Sequence, residues 1–135
     1  MPWAWCGART SCWYDPVKDE GFCRPLGGEI AFGEHAEGAL RREFREEINA
    51  ELKHVCYLRA MENLFTYRGE PGHEIVLLFE AEMEPITVYE QDWFRVEDDE
   101  GSLPAYWTCL SELRREGMGL YPDGLLELMA RERTV

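Results

Sequence analysis

Apolar residues recur at helical spacing between residues 36 and 48, and charged residues fill most of the positions between them. Residues three and four positions apart share one side of an α-helix, so these apolar positions form a single stripe. The stripe consists of Ala39, Leu40, Phe44 and Ile48. We therefore predict a helix from about Ala36 to Ile48 whose apolar side packs on a sheet.

The segments on either side of this helix have the pattern of β-strands, with short apolar runs bounded by turn residues. The predicted strands cover residues 22–26, 29–32, 53–62, 64–67, 74–82 and 105–108. Glycine and proline within Arg68–Gly72 indicate a turn, so the strands on either side of it are predicted to form a hairpin. Ser111 marks a helix start, and Asp123 is expected to cap a final helix that runs to Arg131. This order of elements predicts an α+β domain.

The first 21 residues show no clear pattern of a strand or a helix. They contain Trp3, Trp5, Trp13 and Pro16 without a regular succession of apolar and polar positions. Two interpretations stay open: a divergent pair of strands, or a sheet whose N-terminal strand is short or missing and whose edge is exposed. We treat residues 1–21 as an atypical segment of the same domain as residues 22–135.

Composition limits the class of protein. A chain of 135 residues with 45% hydrophobic residues can bury a core as one domain. No apolar run is long enough to span a membrane, and no secretory signal is evident. The five cysteines form no C-x-x-C pair, so we expect free thiols and a cytoplasmic protein. The net charge of −13 argues against binding of duplex nucleic acid.

Three glutamates lie on one face of the predicted helix. Glu43, Glu46 and Glu47 stand at positions i, i+3 and i+4, and their charges repel one another unless a cation lies nearby. Arg42 and Arg45 could supply part of the positive charge, and Mg²⁺ or Mn²⁺ could supply more, because hard cations bind carboxylate oxygens. The alternative is a solvated helix face in a chain that contains 21 glutamates.

These glutamates belong to a longer pattern: Gly28, five residues, Glu34, seven residues, Arg42-Glu43, an apolar residue, one residue and Glu46-Glu47. The pattern, which runs over residues 28–50, resembles the signature of the Nudix hydrolases, a family that cleaves a nucleoside diphosphate linked to another moiety. The preceding segment Arg24–Gly28 is similar to the loop that introduces this signature. Asn49 stands where the family has a glycine, and we expect asparagine to tolerate a left-handed conformation there.

The resemblance implies a Nudix αβα sandwich, in which a mixed sheet lies between helices. It also implies a metal-dependent enzyme that cuts a pyrophosphate bond in a small nucleotide-type molecule. Mg²⁺ or Mn²⁺ would be held by Glu43, Glu46 and Glu47 together with the backbone carbonyl of Gly27. These expectations come from the family, and the residues alone establish only an acidic helix face.

Further residues receive roles from the same resemblance. Glu34 is expected in the loop before the helix, and Arg42 would pair with Glu34 or with a helix glutamate and fix its orientation. Arg24 is a candidate phosphate contact, because a guanidinium matches phosphate oxygens. A salt bridge between Arg24 and Glu29 is the alternative.

An additional acid from a later loop accepts a proton in some members of the family. Glu97 and Glu100 are candidates because they belong to the acidic run at residues 97–100, and Glu74 is a third candidate. The alternatives are a solvated acidic loop for the run and an ordinary polar residue at a strand start for Glu74.

Two functions remain open at this point. The first is a Nudix-type pyrophosphohydrolase. The second is a catalytically weak module of the same fold that binds a nucleotide or a protein partner without turnover. The presence of all four signature glutamates favours the enzyme. The sequence does not identify the nucleotide, and a homodimer is a further expectation.

Overall fold

The computed structural model of the protein describes residues 2–5, 9–10, 12–15, 20–23, 25–67, 69–85, 87, 90, 93–98, 101–109, 119–120, 124–125 and 127–128. Within them the strands are β1 (Pro2–Trp5), β2 (Arg9–Thr10), β3 (Cys12–Asp15), β4 (Glu20–Cys23), β5 (Leu26–Gly27), β6 (Glu51–Tyr67), β7 (Glu70–Glu84), β8 (Trp93–Asp98), β9 (Gly101–Tyr106), β10 (Thr108–Cys109) and β11 (Gly119–Leu120). Helix α1 spans Ala36–Ile48.

Helix α1 has the predicted bounds and the predicted buried side. Ala39, Leu40 and Phe44 are buried, and Ile48 is partly buried. The chain leaves the helix at Asn49, which adopts the left-handed conformation at φ 53° and ψ 41°. Its N–H donates to a carbonyl of the last helical turn at 3.1 Å. Asparagine therefore ends the helix in the conformation that was expected of it.

The central sheet has the strand order β5-β1-β7-β6. β1 runs parallel to β7 and antiparallel to β5, while β6 and β7 are antiparallel neighbours. Trp3 marks the alignment, because its backbone pairs with Gly27 on one side and with Leu78 on the other. The mixed sheet is thereby confirmed, and the N-terminal segment supplies one of its inner strands.

The predicted hairpin is present as β6 and β7, but β6 is longer than expected. It is one strand from Glu51 to Tyr67 instead of two strands separated at residue 63. Asn63 pairs with Glu74 inside the ladder, and its side chain bonds to the Glu74 carboxylate. A polar residue that interrupts the apolar pattern is therefore accommodated by a cross-strand partner.

The strand predicted at residues 29–32 is wrong. This segment is irregular and ends in a turn. Backbone groups that a strand would pair are bonded elsewhere, because the Ala31 N–H donates to the side chain of Glu34 and the Glu29 carbonyl accepts from Arg42. Side-chain contacts with the backbone replace a ladder here.

The acidic run at residues 97–100 is not wholly a loop. Glu97 and Asp98 are the last residues of β8, and Glu97 pairs with Ser102 of β9. Residues 99 and 100 lie outside the described residues. Val96 is buried in the core, and β8 continues beyond it through the first two residues of the acidic run.

The C-terminal third agrees with the prediction in part. The strand expected at residues 105–108 is interrupted at Trp107, between β9 and β10. Leu125, Glu127 and Leu128 are helical, as predicted for the last helix. The helix start at residue 111, and residues 123 and 129–131, lie outside the described residues. In the part of the chain that is described, no helix is long and apolar enough to cross a membrane.

The sheet is covered on both sides. The core on the side of α1 comprises Leu40, Phe44, Leu52, Phe79, Ala81 and Met83. Alternate residues of β7 point to the opposite side, where Val76 and Leu78 are fully buried. On that side Met61 lies next to Gly124, since a Cβ at Gly124 would be 3.5 Å from the Met61 Cε. The C-terminal helical turn with buried Leu125 therefore lies on the opposite face of the sheet from α1.

Asn49→Ala is expected to lower the free energy of unfolding by about 1 kcal/mol, because alanine lacks the tolerance of asparagine for the left-handed region. Asn49→Gly is expected to leave stability unchanged or to raise it by up to about 1 kcal/mol. Urea denaturation of both variants and the wild type, followed by circular dichroism, measures the two differences. Equal stability of the two variants would contradict the role assigned to Asn49.

Candidate functional site

The turn before α1 fixes the position of Glu34. The Glu34 N–H donates to the Ala31 carbonyl at 3.0 Å, and the Ala31 N–H donates to Glu34 Oε1 at 2.9 Å. Gly33 lies within the turn at φ +91°, a conformation that glycine adopts without strain. The turn is therefore closed by both the backbone and the side chain of Glu34.

The guanidinium of Arg42 uses all five of its N–H donors. Nε and Nη2 donate to the two carboxylate oxygens of Glu34, each at 2.8 Å, and Nη2 also donates to the Glu29 carbonyl at 3.1 Å. Nη1 donates to Glu43 Oε1 at 3.0 Å and to Glu46 Oε2 at 3.1 Å. We call Arg42, Glu34, Glu43 and Glu46 the Arg42 cluster. Arg42 thus pairs with Glu34 and with helix glutamates at the same time, and joins the loop to the helix.

The Arg42–Glu34 pair is held in its charged form. Hydrogen bonds from Arg42, followed by the bond from the Ala31 N–H, lower the pKa of the Glu34 carboxyl from 4.5 to about 2. The hydrogen bond to Glu34 is the main cause that raises the pKa of Arg42, and Glu43 adds to it. Both groups are therefore charged at neutral pH.

The other arginines of α1 bond elsewhere. Arg45 Nε donates to Glu51 at 2.8 Å, and Arg41 Nη1 donates to the Leu52 carbonyl at 2.7 Å. Within the Arg42 cluster three carboxylates face one guanidinium, so these four side chains carry a formal charge of −2. A remaining negative charge at this place favours a further cation.

Glu43 also touches the glycine loop. Its side chain fills the space in which a Cβ of Gly28 would lie, and Glu43 Oε2 would be 2.5 Å from that atom. A residue with a side chain therefore cannot replace Gly28 without displacing Glu43. Gly27, whose carbonyl is a predicted ligand, precedes Gly28 at the end of β5. One carboxylate thus brings the glycine loop and the Arg42 cluster together.

The donor atoms gathered here suit a hard divalent cation in type and charge. Mg²⁺ and Mn²⁺ take carboxylate and carbonyl oxygens, and the Arg42 cluster offers both oxygen donors and net negative charge. Glu43 and Glu46 direct oxygens to Arg42. Across the described residues, no three His, Cys, Asp or Glu side chains converge as a metal site. The residues fit the cation chemically, and their arrangement around it stays a prediction.

The remaining predicted site residues either lie outside the Arg42 cluster or are not among the residues that the structure describes. Glu47 is partly buried on α1, and Glu97 is exposed on β8. Arg24 and Glu100 lie outside the described residues, so their predicted roles stay predictions.

Glu74 lies on the side of β7 that faces away from α1. Leu77 and Phe79 pack toward α1, so the alternation of β7 turns Glu74 to the opposite face. There Asn63 Nδ2 donates to Glu74 Oε1 at 3.0 Å. The structure thus brings Glu34, Glu43 and Glu46 together and places Glu74 apart from them, across the sheet.

Sequence reasoning did not single out Asn63, although it is buried with only 4% of its surface exposed. The predicted strands end at residue 62 and resume at residue 64, so the sequence predicts a break between two strands at Asn63. Its position two residues after Met61 and two before Phe65 was the available signal, because residues at that spacing share one face of a strand. A buried polar residue on such a face needs a hydrogen-bond partner.

Gly28→Ala is expected to disturb the site, because the new methyl group would displace the Glu43 carboxylate. Gly38→Ala is a matched control: a Cβ at Gly38 meets no atom within 4 Å, and alanine favours the helix by about 0.5 to 1 kcal/mol. Divalent-cation binding by calorimetry and thermal unfolding compare the two variants. We expect weakened cation binding in Gly28→Ala, and unchanged binding with a raised melting temperature in Gly38→Ala. Equal cation affinities in both variants would contradict this packing.

Arg42→Gln is expected to lower the melting temperature by several degrees, because it removes the hydrogen bonds of the Arg42 cluster. Arg45→Gln breaks the exposed pair with Glu51, and we expect it to change the melting temperature little.

The stability contributed by the Glu34–Arg42 pair is expected to fall as the pH is lowered. The folded pKa of Glu34 lies below its ordinary value, so the stability from its pairing with Arg42 is present above about pH 4.5 and is lost as the pH falls through about 2. The difference in melting temperature between the wild type and Arg42→Gln should therefore be constant near neutral pH and shrink below pH 4.5. A difference that grows on acidification would contradict the assignment.

Comparison with known proteins agrees with this geometry. The family model of the NUDIX domain matches residues 11–127. No curated protein matches the chain. A MutT structure, from work on the fish pathogen Aliivibrio salmonicida and on Vibrio cholerae, is similar with a TM-score of 0.58 and 15% identity, and the match covers 97% of this chain and 95% of that one. The solution structure of the E. coli ORF135 protein is similar with a TM-score of 0.63 and 19% identity, over 98% of this chain and 89% of that one.

At these identities the two structures share the fold, and nothing further follows from them about activity. The NUDIX match includes the glutamate pattern, α1 and the strands β5, β6 and β7 of the central sheet, as well as part of the atypical N-terminal segment, while β1 precedes the matched residues. Because that match spans most of the sequence, the chain belongs to the NUDIX domain family.

Proposed function

We propose that the protein is a Nudix-type pyrophosphohydrolase, a metal-dependent enzyme that cuts a phosphoanhydride bond in a nucleoside diphosphate linked to another moiety. The Arg42 cluster is the observation that carries this proposal. It holds three of the signature glutamates around one guanidinium and retains a formal charge of −2. Such a charge would repel an anionic substrate unless a metal ion were bound.

Glu43, Glu46 and Glu47, together with the Gly27 carbonyl, are the groups that would hold Mg²⁺ or Mn²⁺. The bound cation offsets the charge of the pyrophosphate and lowers the pKa of its bound water. Arg42 keeps two of these glutamates in place through Nη1.

Glu34 is poorly suited to accept a proton in the reaction. A general base works best when its pKa lies near the working pH, whereas the pKa of Glu34 is about 2. We therefore assign Glu34 the role of anchoring Arg42 and the turn before α1. The proton acceptor then belongs among the other acids, of which Glu97 and Glu100 remain candidates, because Glu74 lies across the sheet from the Arg42 cluster.

The proposed ligand is a small nucleotide rather than duplex nucleic acid or a membrane, because the net charge of −13 repels large polyanions. Arg24 is proposed as a phosphate contact. A cytoplasmic setting and a homodimer are also proposed. The exposed free thiol of Cys56 is compatible with a reducing compartment.

The second candidate function is a nucleotide-binding module with little or no turnover. Such a module would have the same fold as the enzyme, so a measurement of hydrolysis distinguishes the two functions directly. The presence of Glu34, Glu43, Glu46 and Glu47 favours the enzyme, since loss of these acids would be the simplest route to an inactive module.

The wild type with Mg²⁺ or Mn²⁺ is expected to hydrolyse at least one of ADP-ribose, a dinucleoside polyphosphate or a nucleoside triphosphate. Glu46→Gln should reduce the rate by at least about 100-fold, because it removes one negative ligand from the proposed metal site. Glu37→Gln is the control, since Glu37 lies on the same helix and its ion pair among the described residues is an exposed one with Arg41 at 3.6 Å. Chromatographic detection of the products measures all three rates.

Two outcomes would count against the proposal. Absence of hydrolysis by the wild type across the panel would favour the binding module. Equal rates for Glu46→Gln and Glu37→Gln would remove Glu46 from the metal site.

A further inference from the structure

The hairpin formed by β3 and β4 places two cysteines opposite each other. Its antiparallel register runs from Asp15 and Glu20 at the turn to Cys12 and Cys23 at the open end. The connection between the two strands is short, so this pairing is local in the sequence. Neither cysteine belongs to the Arg42 cluster, and the proposed hydrolysis uses neither of them.

The sequence alone does not point to this pair. Cys12 and Cys23 are separated by the rest of the hairpin and form no C-x-x-C motif of the kind found in redox-active proteins. The strand register makes them neighbours, because Cys12 is the first residue of β3 and Cys23 is the last residue of β4. Two of the cysteines that were expected as free thiols are therefore placed side by side by the fold.

Directly opposed residues of an antiparallel pair meet the backbone requirement of a disulfide. Their Cα atoms are about 5.5 Å apart at a hydrogen-bonded position and about 4.5 Å apart at the other kind of position. The Cα atoms of disulfide-linked cysteines are about 4.4 to 6.8 Å apart. Opposed residues also share one face of the ladder. Cys12 and Cys23 can therefore be joined without a change of register.

Other cysteines in the described ladders have partners of a different kind. Cys56 of β6 lies opposite Glu80, and Cys109 of β10 lies opposite Arg9. Across all the strand pairs that the structure describes, two cysteines are opposed only in the β3–β4 hairpin. A selective reaction between two thiols is therefore expected at this place.

We propose that Cys12 and Cys23 are a redox modification site, at which two free thiols are converted into a cross-strand disulfide by a low-molecular-weight disulfide such as oxidised glutathione. We call these two residues the β3–β4 thiol pair. The proposal goes beyond the hydrolase function and does not depend on it, because the pair lies in a different sheet from the Arg42 cluster and the disulfide can be detected without any substrate.

The reaction consists of two thiol–disulfide exchanges. The thiolate of one cysteine attacks a sulfur of oxidised glutathione, which forms a mixed disulfide and releases one glutathione thiolate. The thiolate of the opposed cysteine then attacks the cysteine sulfur of this mixed disulfide, which forms the Cys12–Cys23 bond and releases the second glutathione. The two cysteines give up two protons and two electrons in total, and two molecules of reduced glutathione take them up. Because the second exchange is intramolecular, the disulfide accumulates instead of the mixed adduct.

The disulfide would hold the strand that leads into the glycine loop. Cys23 ends β4, and Gly27 ends β5 after a connection that contains the fully buried Pro25. β4 lies between β3 and β11, whereas β5 pairs with β1 in the central sheet, so the chain passes from one sheet to the other here. The bond would also close a loop over residues 12–23 and restrict the unfolded chain. We therefore expect the oxidised protein to unfold at a higher temperature than the reduced protein.

Equilibration of the whole protein with buffers of different ratios of oxidised to reduced glutathione tests the proposal. After alkylation of the remaining thiols and proteolysis, mass spectrometry identifies the linked cysteines. We expect one intramolecular disulfide between Cys12 and Cys23, alkylation of the exposed Cys56, and a melting temperature several degrees above that of the reduced protein. A different link, separate glutathione adducts on the two cysteines, or no reaction at either of them would overturn the proposal.

The same equilibration in concentrated urea shows whether the fold brings the thiols together. We expect half-formation of the Cys12–Cys23 disulfide in the folded protein at a ratio of oxidised to reduced glutathione at least about tenfold lower than in urea. Equal ratios in the two conditions would mean that closeness in the sequence explains the bond, and would overturn the role assigned to the strand register.

Single substitutions assign the bond to its residues. Cys12→Ser and Cys23→Ser should each abolish the difference in melting temperature between the oxidised and the reduced protein, and should each leave a glutathione adduct on the remaining cysteine of the pair. Cys56→Ser is the matched control and should keep the full difference, because Cys56 is an exposed cysteine opposite Glu80. Comparison of the two redox forms of one variant cancels any effect of the substitution on folding. A difference that persists in Cys12→Ser or Cys23→Ser would contradict the assignment.

Discussion

The interaction on which the site depends is the bond network of the Arg42 guanidinium. Five donors are shared between the turn before α1 and the acids on α1 itself, with distances from 2.8 to 3.1 Å. Bidentate pairing with Glu34 fixes the guanidinium plane, and Nη1 then meets Glu43 and Glu46 at a set position. Acids that would repel one another on a bare helix are thereby held together and still retain net negative charge.

The fold holds this network in place from both sides. The apolar stripe of α1 packs on β6 and β7, and Asn49 ends the helix so that the chain can enter β6. Gly28, just beyond β5, leaves room for the Glu43 carboxylate against the sheet. The cluster is therefore attached to the helix, the turn and the sheet at once. On the opposite face the same hairpin carries Asn63 and Glu74, so one sheet supports two chemically different surfaces.

Local patterns in the sequence predict the helix and its acidic face, but they do not predict contacts between residues that are distant in the sequence. The helix from Ala36 to Ile48 was predicted with correct bounds, because its apolar stripe and its left-handed asparagine are both local signals. The prediction of a strand at residues 29–32 was wrong, because backbone groups of this segment form hydrogen bonds with the side chains of Arg42 and Glu34, which lie outside it. The pairing of β1 between β5 and β7 depends on residues distant in sequence. Asn63 interrupts the apolar pattern, and only its partner across the hairpin shows why it is buried.

The central claim is that the Arg42 cluster and the glycine loop together form a divalent-cation site. Anomalous diffraction from crystals grown with Mn²⁺ tests this claim most directly. The account predicts a peak within about 2.5 Å of oxygens from Glu43, Glu46 and Glu47 and of the Gly27 carbonyl, with Arg42 still bound to Glu34. A peak at another place in the molecule, or none at these residues at saturating Mn²⁺, would contradict it.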